Sequence, residues 1–191
     1  MGKILATLTG MVLLLWTPGV LKNAFALPPT KGGVLPTIDL PIPRDSDDKS
    51  YLGLSGDGSF KIPQIKARIV IVEIFGLYCP QCIKIAPSVK ELYQKIEDDP
   101  GLRGTVKLIG IGAGNTLSEV HFYKVMTAAP FPLFSDQDFT LHATLGEVRT
   151  PYFIAIRING DRTHVVIYSE PGGVEDAESF LELILLNLGP K

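Results

Sequence analysis

Cysteine is scarce in this chain: 191 residues contain only Cys79 and Cys82, so a multi-bridge disulfide framework is excluded. A four-cysteine zinc site is excluded by the same count. The three histidines, His121, His142 and His164, fall on separate predicted elements rather than at ligand spacing. A charge excess is also missing. Eighteen lysines and arginines stand against 20 aspartates and glutamates, and no basic cluster forms a stripe able to neutralise a run of phosphates, so nucleic acid is not an expected partner. No internal repeat is present. No cysteine precedes Cys79, which removes lipid attachment at a processed N-terminal cysteine. With 46% apolar and 20% charged residues, the composition is that of an ordinary globular protein.

What is present divides into three stretches. In residues 1–26, Lys3 precedes an almost wholly apolar run from Ile4 to Val20, and Ala24-Phe25-Ala26 has the small-x-small form of a signal-peptidase site. Removal after Ala26 is the favoured expectation, with Thr17, Pro18 and Gly19 interrupting the run. An uncleaved membrane anchor is the alternative, because the run approaches spanning length. Either way the domain is expected outside the cytoplasm, in the periplasm or tethered to the inner membrane. Residues 27–50 carry Pro28, Pro29, Pro36, Pro41 and Pro43 and the polar stretch 44–50, which reads as a tether or surface segment. Residues 51–191 form the expected single domain.

Within that domain, 51–65 reads as two short strands about the turn Gly56-Asp57-Gly58. Ile69 to Phe75 is apolar at nearly every position and rich in β-branched residues, as a central strand covered on both faces requires. After Gly76-Leu77-Tyr78, the residues Cys82, Ile85, Ala86, Val89, Leu92, Tyr93 and Ile96 recur on one helical face to about Glu97. Val106 to Gly112 predicts a second strand, and Thr116 with Glu119 is a capping box opening a helix to about Ala128. A short strand at 131–134 and a short helix capped by Asp136 or Asp138 and stopping at Gly146 follow. Residues 152–158 and 162–169 predict an antiparallel hairpin, and 174–188 a last amphipathic helix. The whole predicts an α/β fold, a central mixed sheet flanked by helices with an N-terminal hairpin extension.

The cysteine spacing carries chemistry. A helix that opens at the pair sets its unpaired amides and positive dipole end against Cys79, favouring a thiolate there. Pro80 suits the first turn, where its missing amide hydrogen has no intrahelical partner. Cys82 lies one turn on and in phase with the buried face, so Cys79 is the expected attacking sulfur and Cys82 the shielded resolving one. An inert structural bridge is the weaker reading, because so small a loop restricts the unfolded chain little. Glu73 interrupts the most apolar strand. Two readings stand open: a buried acid of raised pKa that exchanges a proton with Cys82, or a strand-end glutamate whose tip reaches water. Pro151, after Thr150, either starts a strand or marks a cis bond.

From about Tyr51 to Leu188 the chain resembles the thioredoxin superfamily, and within it the exported TlpA/ResA-like redoxins related to the AhpC/TSA group. The segment Cys79-Pro80-Gln81-Cys82-Ile83-Lys84-Ile85-Ala86-Pro87 is similar to that family's active-site helix, Glu73 stands at its buried acid, and Thr150-Pro151 matches its cis-proline. The resemblance implies a thiol-disulfide oxidoreductase that needs no cofactor beyond the Cys79–Cys82 pair. It implies a partner-binding rim of Tyr78, Pro80, Gln81, Thr150 and Pro151, and disulfide or dithiol protein clients with an upstream redox partner. It favours the reducing direction, toward cytochrome c apoproteins or metal-centre assembly factors, and a monomer. Tyr78 replaces the usual tryptophan and Pro80-Gln81 the usual Gly-Pro. Gly76 occupies the position where a peroxiredoxin carries threonine, which weighs against a peroxidase. A copper-carrying chaperone using both thiols and a histidine is the alternative from another class.

Overall fold

The computed structural model describes residues 26–187. The expected signal or anchor segment therefore lies, except for Ala26, outside the described residues.

Strand β3 (Ile69–Phe75) is buried at all seven positions because it is the middle of a five-stranded sheet. It pairs in parallel with β4 (Val106–Ala113), which pairs in parallel with β5 (Leu133–Asp136). On its other side it pairs antiparallel with β6 (Tyr152–Ile158), itself antiparallel to β7 (His164–Pro171). The order is β5-β4-β3-β6-β7. Strand alternation splits the apolar residues between two cores. Ile69 and Ile71 pack with Ile85, Val89 and Leu92 of α2 (Pro80–Asp98) and with Phe180, Leu181 and Ile184 of α5 (Ala177–Leu186). Val70, Val72 and Ile74 pack on the opposite face with Ile109, Ile154 and Ile156.

The sheet and the cysteine-bearing helix stand where the periodicity puts them. Four neighbours differ. Strand β7 begins at His164 rather than at 162, because the Asn159 amide donates to the Thr163 carbonyl and residues 159–163 make the turn. Strand β5 begins two residues later than the expected 131–134, because its register is set by residues 110–113 of β4. In α4 (Thr140–Thr144) both candidate aspartates act: the Asp136 carboxylate accepts from the amides of Leu141 and His142, and Asp138 accepts from Thr140. Helix α5 starts at Ala177 rather than near 174, because Asp176 accepts from the Ser179 amide and caps it there.

The larger correction concerns residues 27–50, which do not form a tether. Leu35, Ile38 and Leu40 are buried in the second core, and β1 (Asp39–Pro41) pairs antiparallel with β2 (Ser59–Lys61). The amide of Gly32 donates to Val166 and that of Val166 to Gly33, covering the outer edge of β7. The charged stretch is itself helical: Asp45 caps α1 (Ser46–Leu52), and Gly53 ends it in the left-handed conformation. The N-terminal β-pair therefore takes its first arm from 39–41, and Tyr51 lies in α1 instead of a strand. The Tyr51 hydroxyl accepts from the Leu108 amide, where β4 runs past the end of β5.

If this segment belongs to the core, Leu40→Ala should destabilise the protein by about 2–5 kcal/mol in urea denaturation. The exposed Val34→Ala should change it by less than about 0.5 kcal/mol.

Candidate active site

Where β3 ends at Phe75 the chain turns through Gly76, Leu77 and Tyr78, and the Cys79 amide closes the turn on the Gly76 carbonyl at 3.1 Å. Cys79 is the N-cap of α2, with Pro80 in the first helical position. Its sulfur is bonded to that of Cys82, with Cα atoms 5.3 Å apart, and accepts from the Cys82 amide at 3.2 Å. The two sulfurs are unequally placed: Cys79 is half-buried, whereas Cys82 is 0% exposed. In the reduced state, the same amide and the positive end of a 19-residue helix favour a thiolate on Cys79.

The predicted rim gathers around Cys79. The Thr150 carbonyl oxygen lies 3.5 Å from its sulfur, and the Thr150–Pro151 peptide bond is cis. Pro80 and Gln81 are exposed on the first turn of α2, and Pro151 is buried. Tyr78 is 78% exposed, yet its hydroxyl donates to the Glu119 carboxylate at 2.9 Å.

Glu73 is buried, which excludes the reading in which its tip reaches water. Its neighbours across the sheet are Gly110 and Phe153, and its Oε1 has no hydrogen-bond partner. Desolvation pushes its pKa up to about 8. Along β3 it stands between Ile71, which packs in the core beneath α2, and Phe75, which packs with Cys82. Tyr123 of α3 (Leu117–Thr127) stacks on Phe75 and donates to the Cys82 carbonyl at 3.4 Å. A side chain at Gly110 would lie 2.5 Å from Leu133 and 3.1 Å from Phe75, so glycine there gives Phe75 room.

Asn115 and Glu119 are functional-site residues that the local pattern does not announce. Buried Asn115 accepts from the Leu77 amide at 2.9 Å and so pins the active-site turn to the loop before α3. Glu119 holds both the Thr116 amide and the Tyr78 hydroxyl. Thr116–Glu119 is legible as a capping box, but the contacts with Leu77 and Tyr78 span about 40 residues and leave no local trace. The histidines stay apart. His121 is exposed on α3, His142 contacts the Val148 carbonyl at 2.8 Å, and His164 that of Leu35 at 3.2 Å. Among the described residues no group of three histidine, cysteine, aspartate or glutamate side chains is placed to hold a metal.

No family model and no curated protein sequence matches the chain. Solved structures do. A Chlorobium tepidum protein assigned as the thiol:disulfide interchange protein DsbE superposes with TM-score 0.61 at 17% identity, over 84% of this chain and 99% of that one. A secreted Mycobacterium tuberculosis disulfide oxidoreductase homologous to Escherichia coli DsbE gives 0.51 at 15%, over 68% and 90%. StoA from Bacillus subtilis gives 0.51 at 18%, over 66% and 89%. At these identities the likeness is one of fold, and the fold is that of thioredoxin.

Two outcomes follow from the geometry. Because the folded pKa of Glu73 lies above its unfolded value of 4.5, the unfolded chain gives up this proton first as pH rises. Stability linked to Glu73 is fully present below 4.5 and is lost up to about pH 8. The slope in that window is about 1.4 kcal/mol per pH unit, and Glu73→Gln should abolish it and raise stability at neutral pH, read from denaturation midpoints against pH. Asn115→Ala, which leaves the Leu77 amide unsatisfied, should destabilise by about 1–3 kcal/mol in the same assay.

Proposed function

We propose that this thioredoxin-fold protein is an exported thiol-disulfide oxidoreductase that exchanges the Cys79–Cys82 pair with protein clients and acts as a reductant. The observation that carries this reading is the asymmetry of the pair: a half-exposed sulfur capping a helix, bonded to one with no exposure.

In the reducing direction the Cys79 thiolate attacks one sulfur of a client disulfide, and the other client sulfur leaves as a thiolate. The mixed disulfide lies along Thr150, Pro151 and the rim of Tyr78, Pro80 and Gln81. Cys82 gives up its proton and attacks Cys79, releasing the second client thiolate and restoring the internal disulfide. Glu73 is the proton exchanger of this step. As carboxylate it takes the Cys82 proton; as acid, when an upstream dithiol re-reduces the protein, it returns one to the departing Cys82 sulfur. A pKa near 8 allows both forms at working pH.

Electron direction depends on reduction potential, and related dithiol proteins span about 150 mV, roughly 7 kcal/mol. The reducing assignment rests on the resemblance to TlpA/ResA-like redoxins, and the assignment of export on an N-terminal segment of signal or anchor character. No resident cofactor is required, and the working form is a monomer. No helix among the described residues is long and apolar enough to cross a membrane, so any anchoring is assigned to the N-terminal apolar run.

With Cys82→Ala expressed in the native host and thiols quenched with acid, client proteins should accumulate as mixed disulfides on Cys79. They should be absent from a Cys79→Ala, Cys82→Ala control. A Cys82→Ala protein that captures nothing contradicts the exchange mechanism, and clients recovered as oxidised folding substrates reverse the assigned direction.

A further inference from the structure

His142 takes no part in the exchange chemistry, yet it is fixed at three points. Its amide donates to the Asp136 carboxylate at 2.8 Å, its carbonyl accepts from the Glu147 amide at 3.0 Å, and its ring Nε2 lies 2.8 Å from the Val148 carbonyl oxygen. A carbonyl can only accept, so Nε2 carries the hydrogen and the ring is the donor. Asp136 is buried at the end of β5 and takes the Leu141 amide with its other oxygen, so the ring is anchored to the sheet. Two residues beyond Val148, the Thr150 carbonyl stands against the Cys79 sulfur. Between the ring and that carbonyl the chain turns tightly, with φ of 88° at Gly146 and 50° at Glu147, and Val148 is buried. The His142 bond therefore ties the loop that carries Thr150 and Pro151 to α4.

The same short segment reaches the other side of the disulfide. Phe139 has φ of 60°, a left-handed conformation that is costly for a bulky residue and persists only where its surroundings impose it. Its ring covers Gly114, where any side chain would overlap it, and meets the His142 ring edge-on with centroids 5.7 Å apart. Gly114 directly precedes Asn115, which holds the Leu77 amide. Residues 139–142 thus touch both segments that frame the cysteine pair.

We propose that Phe139–His142 is a brace for the client-binding rim, in which His142 is a positioning residue that sets the Thr150–Pro151 edge through Val148. The proposal rests on the thiol-exchange reading and deepens it by naming what aligns the client. The brace acts on polypeptide, which lies along that edge, and not on a small disulfide, which needs only the Cys79 sulfur. A displaced edge costs a bound chain its alignment with the attacking sulfur, and alignment acts directly on rate.

The test compares hydroxyethyl disulfide with an unstructured peptide whose single cysteine carries the same hydroxyethyl group in a mixed disulfide, each in excess over the reduced full chain. In both reactions Cys79 forms the new sulfur–sulfur bond and a thiolate leaves. The wild-type protein should react about tenfold faster with the peptide, a modest share of what alignment can supply. In His142→Ala that ratio should fall to within about twofold, with the small-disulfide rate kept, because only alignment is lost. His142→Asn, whose amide nitrogen stops short of the Nε2 position, should behave in the same way, and it carries the comparison where His142→Ala does not fold. His142→Gln, whose amide nitrogen reaches that position and donates to Val148, should retain most of the ratio. Equal wild-type rates on the two probes, a ratio untouched by His142→Asn, or a His142→Gln protein that behaves as His142→Asn overturns the brace but leaves thiol exchange intact. Rates that fall together on both probes assign the bond to folding alone and also overturn it. Failure of the reduced wild-type protein to react with either probe overturns the exchange reading and the brace with it.

Discussion

The turn from β3 into α2 is the constraint on which the rest depends. A seven-residue strand buried on both faces cannot shift without exposing its apolar residues, and its end fixes where the helix begins. Cys79 is the last non-helical residue of that turn, so its sulfur meets the helix amides with no further device. Cys82 is carried inward by the helical period alone. The difference between the two sulfurs thus comes from backbone geometry, before any other side chain is considered.

Around this turn, three groups of contacts restrict it. Asn115 holds the Leu77 amide, Glu119 holds Tyr78, and the Thr150 carbonyl stands against the Cys79 sulfur. They come from two directions, Asn115 and Glu119 from the loop after β4 and the first turn of α3, and Thr150 from the loop before β6; β4 and β6 flank β3 on either side. The sheet order therefore does more than build a core. It delivers the two segments that frame the disulfide, while Glu73, two residues before Phe75 on β3 itself, is a buried titratable group of the same strand.

Much of this was legible in the residues. Ile69–Phe75 follows from a continuous β-branched apolar run, the Cys79–Cys82 phase from a 3.6-residue period, and the hairpin expected at 152–158 and 162–169 from two strand-like runs about a turn, and these elements stand close to those positions. The N-terminal stretch misled for a physical reason. Ile38 and Leu40 do alternate with exposed Asp39 and Pro41, but over too short a run to stand out among five prolines, and α1 is too short to show a helical period. Its signals were only the cap at Asp45 and the stop at Gly53. Asn115 was silent for a different reason: its partner, Leu77, is 38 residues away, and only the β3–β4 register brings them together. Glu73 stood between two readings because depth along a strand is a property of the sheet and not of the strand.

The most direct test of the account asks which sulfur reacts. The reduced protein would be alkylated with iodoacetamide across a pH series and the labelled cysteine identified by peptide mass spectrometry. The account predicts label on Cys79 alone, with a midpoint below the free-thiol value of about 8.5, and label on Cys82 only after unfolding. Equal labelling of both cysteines, or a Cys79 midpoint at or above the free-thiol value, would contradict it.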